Sequence, residues 1–298
     1  MNHSGRIGFL LLLASLLAPV KAQDIIELNT GTILDVEHDV TYSKNQHGLI
    51  TEVISPSMEM YFPTTNNDDL CPAVIICPGG GYSVIVYEGE GISTAKEMAE
   101  NGIAAFVLKY RLPGSSADDR KNLPLKDAQQ AIKIVRENAS KWNINPEKIG
   151  VMGFSAGGHL ASTLATHYRP IIDNPENTSL RPDFQVLVYP VISMQDSLTH
   201  QGSRNQLLGD TPTTEDIRNF SSELQVDSNT PPAYITHATD DVVVDVDNTI
   251  FYFEQLRHHK VPVEMHIYQK GNHGFIFKHK TWTVPLFEWM ENSGFLTN

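Results

Sequence analysis

The chain has 298 residues, 41% of them hydrophobic, with 22 Lys and Arg against 35 Asp and Glu for a formal charge of −13. That length is ordinary for one large α/β domain and long for two small ones. The acidic balance repels nucleic acid and anionic membrane surfaces, so neither is expected as a partner, and neutral substrates are favoured.

The first 22 residues read as a signal peptide: Arg6 precedes an apolar run over 9–18, and Val20-Lys21-Ala22 places small residues where a signal peptidase reads. The run is shorter than the roughly 20 residues a membrane span requires, and no other stretch comes close, so no stable membrane association is expected. Cleavage after Ala22 would leave a single domain over 23–298, 276 residues, in a secreted or periplasmic location. Arg6 and Lys21 leave with the peptide, and the remaining 20 basic against 35 acidic residues give −15. No cysteine lies near the cleavage point, which argues against a lipid anchor.

Over 49–62 a strand-like pattern broken by Pro56-Ser57 predicts a hairpin at the edge of a sheet. Continuous apolar runs follow at 73–77, 103–108, 149–152, 184–189, 233–236 and 263–268. Between them lie helical patterns: one over 93–101 with Gly102 at a left-handed cap, and another through Leu125, Ala128, Ile132 and Val135. Runs without polar alternation, separated by helices, are what parallel strands covered on both faces require. The fold class is therefore α/β, a mostly parallel central sheet with helices on both faces.

Cys71 and Cys77 bracket the first run, so six strand steps hold them roughly 20 Å apart. A disulfide needs Cα atoms within about 7 Å, and both are predicted to be buried thiols. Two irregular stretches, 113–124 and 193–232, are long enough to be loops over an active site, with surface insertion as the competing reading.

Gly153-Phe154-Ser155-Ala156-Gly157 follows the apolar run at 149–152 and precedes a helix-like stretch over 158–167. A strand turning sharply into a helix there would hold Ser155 in a strained, exposed position, and the small flanking residues are needed where strand and helix crowd. Ser155 is the candidate nucleophile. A serine hydroxyl needs a base, and the base needs a partner. His273, in Gly271-Asn272-His273-Gly274 just after a strand, is the candidate base, since it would sit at the carboxyl edge of the sheet where ligands bind. His258 and His259 read as solvated, His266 as part of a strand, and His279 lies among lysines. For the acid, the strand near 234–238 runs out into Asp240, Asp241, Asp245 and Asp247, any of which satisfies the chain order; Asp247 and Asp245 also suit a helix start. His237, at the strand end, reads as packing or hydrogen bonding rather than catalysis.

Acyl transfer also needs backbone N–H groups aimed at the developing oxyanion. Pro78-Gly79-Gly80-Gly81-Tyr82 follows the first apolar run and suits that role. A dinucleotide fingerprint would need glycine where Val84 stands.

These motifs resemble the esterase/lipase families of α/β hydrolases related to acetyl xylan esterases and the hormone-sensitive-lipase group. The resemblance rests on residues 78–82, 107–112, 153–159, 237–241 and 271–275. It implies the α/β-hydrolase fold, places the acid on Asp241, four residues after His237, and puts the oxyanion hole at the N–H groups of Gly80 or Gly81 with Ala156. Val244 matches the family pattern and Asp245 stands where it has proline; Pro78 stands where lipases have histidine. His159 and Asp127 also match family positions and read as structural. Tyr82, Tyr87 and Tyr110 are candidates for a sugar subsite, with packing as the alternative.

The expectation is a Ser-His-Asp esterase acting on short acyl esters, acetyl above all, of xylan or related oligosaccharides. Its partner would be a small-molecule or oligosaccharide ester, with no metal or organic cofactor, since no HExxH or paired-ligand spacing is present. The alternatives are a general carboxylesterase, a prolyl-peptidase-like hydrolase and a non-catalytic binding protein. Only 132 residues separate Gln23 from Ser155, too few for the large gating domain such peptidases usually carry. A binding protein would be expected to lose a triad residue.

Overall fold

The computed structural model describes residues 24–35, 42–64, 70–114 and 119–296; the expected signal peptide and part of the 113–124 stretch lie outside them. Near the start, β1 (Asp24–Glu27) and β2 (Ile33–Asp35) form an antiparallel hairpin, and β3 (Tyr42–Lys44) pairs with β4 (Ile50–Val53) in a separate two-stranded sheet. The strand β5 (Ser57–Tyr61) follows. It does not return along β4 as the hairpin expectation required; it pairs antiparallel with β1 and with a later strand. The reason is burial, because all five of its residues are buried and both of its edges find partners inside the main sheet. Pro56 marks a change of sheet, its carbonyl accepting the N–H of Leu28.

The six apolar runs form β6 (Cys71–Cys77), β7 (Ala104–Lys109), β8 (Ile144–Phe154), β9 (Gln185–Val188), β10 (Ala233–Ala238) and β11 (Val263–Tyr268). Every pairing among these six is parallel. The nine-stranded sheet runs β11-β10-β9-β8-β6-β7-β5-β1-β2. The helices are α1 (Ser93–Glu100), α2 (Leu123–Glu137), α3 (Ala156–Thr166), α4 (Gln201–Leu208), α5 (Thr214–Asn219), α6 (Asp247–His258) and α7 (Val284–Asn292). From β6 the chain steps to β7 on one side through α1, then returns past β6 to β8 through α2. Right-handed crossovers in opposite directions put α1 on one face and α2, α3 and α6 on the other, and the inner strands are buried between these layers, with β11 half-buried at the edge.

The reversal makes β6 and β8 neighbours, with Cys77 level with Gly153. Their carboxyl ends flank the topological switch point, where α/β sheets bind ligands. Cys77 is buried, whereas Cys71, at the exposed start of β6, is only half-buried; both thiols are free. The 193–232 stretch is largely ordered structure, containing α4, α5 and a single 3₁₀ turn, Ser222–Leu224. It is fastened to the other irregular stretch by an ion pair between Lys121 and Asp216 and by Arg120, whose guanidinium donates to the Asn205 carbonyl at 3.2 Å.

Backbone presses on backbone where β8 turns into α3. A Cβ on Gly157 would lie 2.0 Å from the Cys77 oxygen and 2.5 Å from that of Pro78. Gly157→Ala is expected to destabilise the fold by about 3 kcal/mol, since neither carbonyl can move without breaking sheet or loop. Gly102, in open space after α1 with φ +81°, needs glycine only for its backbone, and Gly102→Ala should cost about 1 kcal/mol. Urea unfolding of the two variants beside wild type measures both, and equal losses would contradict the packing argument.

Candidate active site

Ser155 follows β8 directly and has φ +51° and ψ −120°, a conformation costly for any residue with a Cβ. It is held by its N–H on the Val188 carbonyl (3.1 Å) and by its own carbonyl, which accepts from Val191 (3.0 Å) and His159 (3.2 Å). The side chain stands at the N-terminus of α3, in the crevice between β6 and β8.

The structure brings Ser155, His273 and Asp241 together. His273 Nε2 lies 2.9 Å from Ser155 Oγ, and His273 Nδ1 lies 2.8 Å from Asp241 Oδ2. An ionised carboxylate only accepts, so Nδ1 carries the proton and Nε2 presents its lone pair to the hydroxyl. The loop that carries His273 follows β11, with Gly271, Asn272 and Gly274 all at positive φ. Asp240 accepts the Asn272 N–H at 2.7 Å, and Asn272 Oδ1 accepts from Val242 at 3.2 Å, lacing this loop to the one after β10.

Of the four aspartates left open by spacing, Asp241 alone faces the imidazole. Asp245 accepts the N–H of Asp247 at 3.0 Å, and Asp247 opens α6. Asp241 Oδ1 accepts from the Val243 and Val244 N–H groups (2.9 and 3.0 Å), and Oδ2 from His273 and from His237 Nε2 (3.0 Å). Burial would raise its pKa, but donors from His237, His273 and Val244 outweigh burial and hold it well below the usual carboxylate range. His237 is fully buried; its Nε2 also faces the Val244 carbonyl at 3.1 Å, so that nitrogen carries a proton and Nδ1 accepts from Thr249 Oγ1 (2.8 Å).

Opposite the serine runs the glycine loop after β6. A Cβ on Gly79 would lie 2.9 Å from the Ser155 Cβ, so the loop is in contact with the serine. The Gly79 N–H is taken by the Glu90 carboxylate at 2.6 Å. The N–H groups of Gly80, Gly81 and Ala156 find no acceptor among the described residues, although Ala156 is fully buried. Buried N–H groups without partners are rare and costly, of order 1–3 kcal/mol each, unless something else supplies the acceptor.

Tyr82, Tyr87 and Tyr110 are all buried in the wall of this loop rather than open to a ligand. The Tyr110 hydroxyl donates to the Pro78 carbonyl at 2.8 Å, that of Tyr87 to Glu59, and that of Tyr82 meets His159 Nδ1 at 2.8 Å. His159 Nε2 faces the Phe220 carbonyl at 2.7 Å and so is protonated, leaving Nδ1 to accept from Tyr82. Asp127, also buried, accepts the Arg111 N–H at 2.8 Å and its guanidinium, fixing the segment after β7 to α2.

Three neighbours of the site escaped the sequence reading. Glu90 lies in a π-helical turn, Tyr87–Ile92, outside any periodic pattern, though glycines on both sides mark a close approach. Tyr189 ends the fourth apolar run and reads as core; its ring centroid lies 4.8 Å from that of His273. His200 precedes the acid, so chain order set it aside; it caps α4 by accepting from Ser203, and burial, then the charge of His273, push its pKa down. Residues 196–200 line a cleft of about 310 Å³ with Asp241, Val242, Val243 and Asp245. Among the described residues no group of three His, Cys, Asp or Glu side chains is placed to hold a metal ion, and no helix is long and apolar enough to cross a membrane.

The BD-FAE family model matches residues 58–256. An acetylxylan esterase from Xylanibacter ruminicola is 39% identical over 209 residues, 69% of this chain and 41% of that protein. Endo-1,4-beta-xylanase B from Butyrivibrio fibrisolvens is 39% identical over 217 residues, 72% of this chain and 34% of that protein. The match thus covers less than half the length of either relative. Among solved structures, an acetyl ester-xyloside bifunctional hydrolase from Caldicellulosiruptor lactoaceticus superposes with a TM-score of 0.77 at 34% identity, covering 94% of this chain and all of that one.

Burial pushes the His159 pKa down to about 4, from an ordinary value of 6.5. Between those two values the unfolded chain binds a proton that the folded one does not, so stability present above pH 6.5 is lost as pH falls towards 4, by about 3 kcal/mol at most. His159→Gln is expected to flatten the fall in unfolding free energy between pH 7 and pH 4.5 measured in urea. An unchanged fall would mean that other groups carry it.

Proposed function

The chain belongs to the BD-FAE family, and on that premise we propose that it is an exported serine esterase of the α/β-hydrolase fold that removes acetyl and other short acyl groups from xylan or related oligosaccharides. The observation that carries this reading is the continuous hydrogen-bond chain Asp241–His273–Ser155, which ends beside the buried, unpartnered N–H of Ala156. The acetylated-xylan substrate is supported by the names of the acetylxylan esterase and the acetyl ester-xyloside hydrolase it resembles. Export is supported by the signal-peptide pattern over 1–22, and the reaction is assigned to a single domain over 23–298.

In this mechanism Ser155 Oγ attacks the ester carbonyl carbon as His273 Nε2 takes the hydroxyl proton. The carbonyl oxygen becomes an oxyanion and accepts from the N–H of Ala156 and from that of Gly80 or Gly81, donors already fixed in place. Asp241 stabilises the imidazolium. The proton then passes to the sugar oxygen, the carbon–oxygen bond breaks, and the acyl group stays on Ser155. Water attacks the acyl-enzyme, giving its proton to His273, and the carboxylic acid leaves as that proton returns to Ser155.

Ser155→Ala is expected to lower acetate release from acetylated xylo-oligosaccharides, and hydrolysis of p-nitrophenyl acetate, by at least about 10³-fold. Asp241→Asn keeps the shape but loses the tautomer control, with a fall in kcat of about 10³–10⁴-fold. Wild-type hydrolysis of p-nitrophenyl acetate and butyrate with no release from the sugars would leave a general carboxylesterase. Undiminished turnover by Ser155→Ala would overturn the mechanism.

A further inference from the structure

Glu90 is buried behind the glycine loop, with 5% of its surface exposed. Its Oε2 accepts the Gly79 N–H at 2.6 Å, and its Oε1 accepts the Tyr189 hydroxyl at 3.0 Å. Tyr189 in turn lies against the His273 ring and has φ +37°, a strained backbone for a bulky side chain. One carboxylate thus joins the loop opposite Ser155 to the residue behind the imidazole. A buried carboxylate with no cation beside it costs several kcal/mol, and an apolar side chain would fill this space at less cost. A π-helical turn inserted before α1 turns Glu90 inward, and such turns are frequent at functional sites.

We propose that Glu90 is a positioning residue of this site, holding the glycine loop and Tyr189 in the one arrangement in which the oxyanion donors and His273 act together. The proposal rests on the Ser155 mechanism above. The groups that face the carboxylate are the Gly79 N–H, the Tyr189 hydroxyl just after β9, Tyr110 after β7 and the His273 imidazole. Burial pushes its pKa up to about 6, opposed by the Gly79 and Tyr189 donors and by His273. Glu90 is therefore charged at neutral pH and protonated in mild acid. Protonation leaves a neutral group of the same shape, which is what Glu90→Gln supplies at every pH.

The test is steady-state hydrolysis of p-nitrophenyl acetate by the full chain, from pH 4.5 to 8. For Glu90→Gln, kcat is expected to fall about 10- to 100-fold with KM within about twofold. On the acid side, wild-type kcat/KM should fall as Glu90 takes up its proton near pH 6. Glu90→Gln should lack that component of the fall and show a shallower acid limb. Tyr189→Phe removes only the hydroxyl, and kcat is expected to drop about three- to tenfold at unchanged KM, which keeps the test open if Glu90→Gln does not fold. Wild-type kcat in either folded variant overturns the proposal, as does an identical acid limb in Glu90→Gln. Ser155→Ala in the same assay separates the two claims: if it is inactive while Glu90→Gln is unimpaired, only the role of Glu90 falls; if it is active, the mechanism itself falls.

Discussion

The site depends on one steric constraint, the contact of backbone with backbone where β6, β8 and α3 meet. A Cβ on Gly153 would lie 2.1 Å from the Gly157 oxygen, and one on Gly157 would lie 2.0 Å from the Cys77 oxygen. With no side chains between them, the strand can turn into the helix within a single residue, and that residue is Ser155 at φ +51°. The same closeness brings the Gly79 loop against the serine. Had either glycine carried a methyl group, helix and strand would separate, and both the strained serine and the adjacent donors would relax. The cost of the strained dihedral, of order 1–3 kcal/mol, is offset by sheet and helix hydrogen bonds on both sides of it.

Burial alone does not decide the charge of the carboxylates around this constraint; the number of donors does. Asp241 and Glu90 are both desolvated, which raises both pKa values. Asp241 accepts four hydrogen bonds, two from histidines and two from backbone N–H groups, and stays ionised well into acid. Glu90 accepts two, and its pKa settles at about 6. Both lie within electrostatic reach of His273, so the imidazole is near one carboxylate that stays ionised well into acid and another that takes up a proton in mild acid. Environments that push neighbouring acids apart in this way are how a single pocket assigns them different work.

What the sequence made legible follows the same physics. Parallel strands covered on both faces must be apolar, so the inner ones were visible as apolar runs, while β11, at the sheet edge and half-buried, carries Glu264 and His266 among its apolar residues, and the small residues around Ser155 marked the turn because no larger residue fits there. Which aspartate faces His273 was not legible from the residues alone. Asp240, Asp241, Asp245 and Asp247 occupy one short exit from β10, and which one reaches His273 depends on how the chain folds back beneath His237. The strand β5 was assigned to a hairpin because proline-serine suggests a turn, whereas the partners on its two edges, β1 and β7, lie 30 or more residues away in sequence. Glu90 was missed for a related reason: a π turn has no hydrophobic period, and an acid between glycines looks solvated until the fold closes over it.

The 193–232 stretch reads from its sequence as a loop over an active site or a surface insertion, and in the structure it is wired to the glycine loop. Phe220 belongs to it, and the Phe220 carbonyl fixes the tautomer of His159, which leaves Nδ1 free to accept from Tyr82, the residue that ends the glycine loop. Its α4 places Ser203 beside Gly81, about 4.0 Å from where a Cβ would stand. The outer segment therefore does more than line a cleft: shifting Phe220 moves an acceptor on which the orientation of the loop depends. A buried imidazole between a carbonyl and a phenol transmits such a shift because it has one donor and one acceptor, both already engaged, and cannot re-pair without leaving one of them unsatisfied. Sequence changes in this segment should therefore alter substrate fit and loop geometry together, and the two effects cannot be tuned independently while His159 joins them.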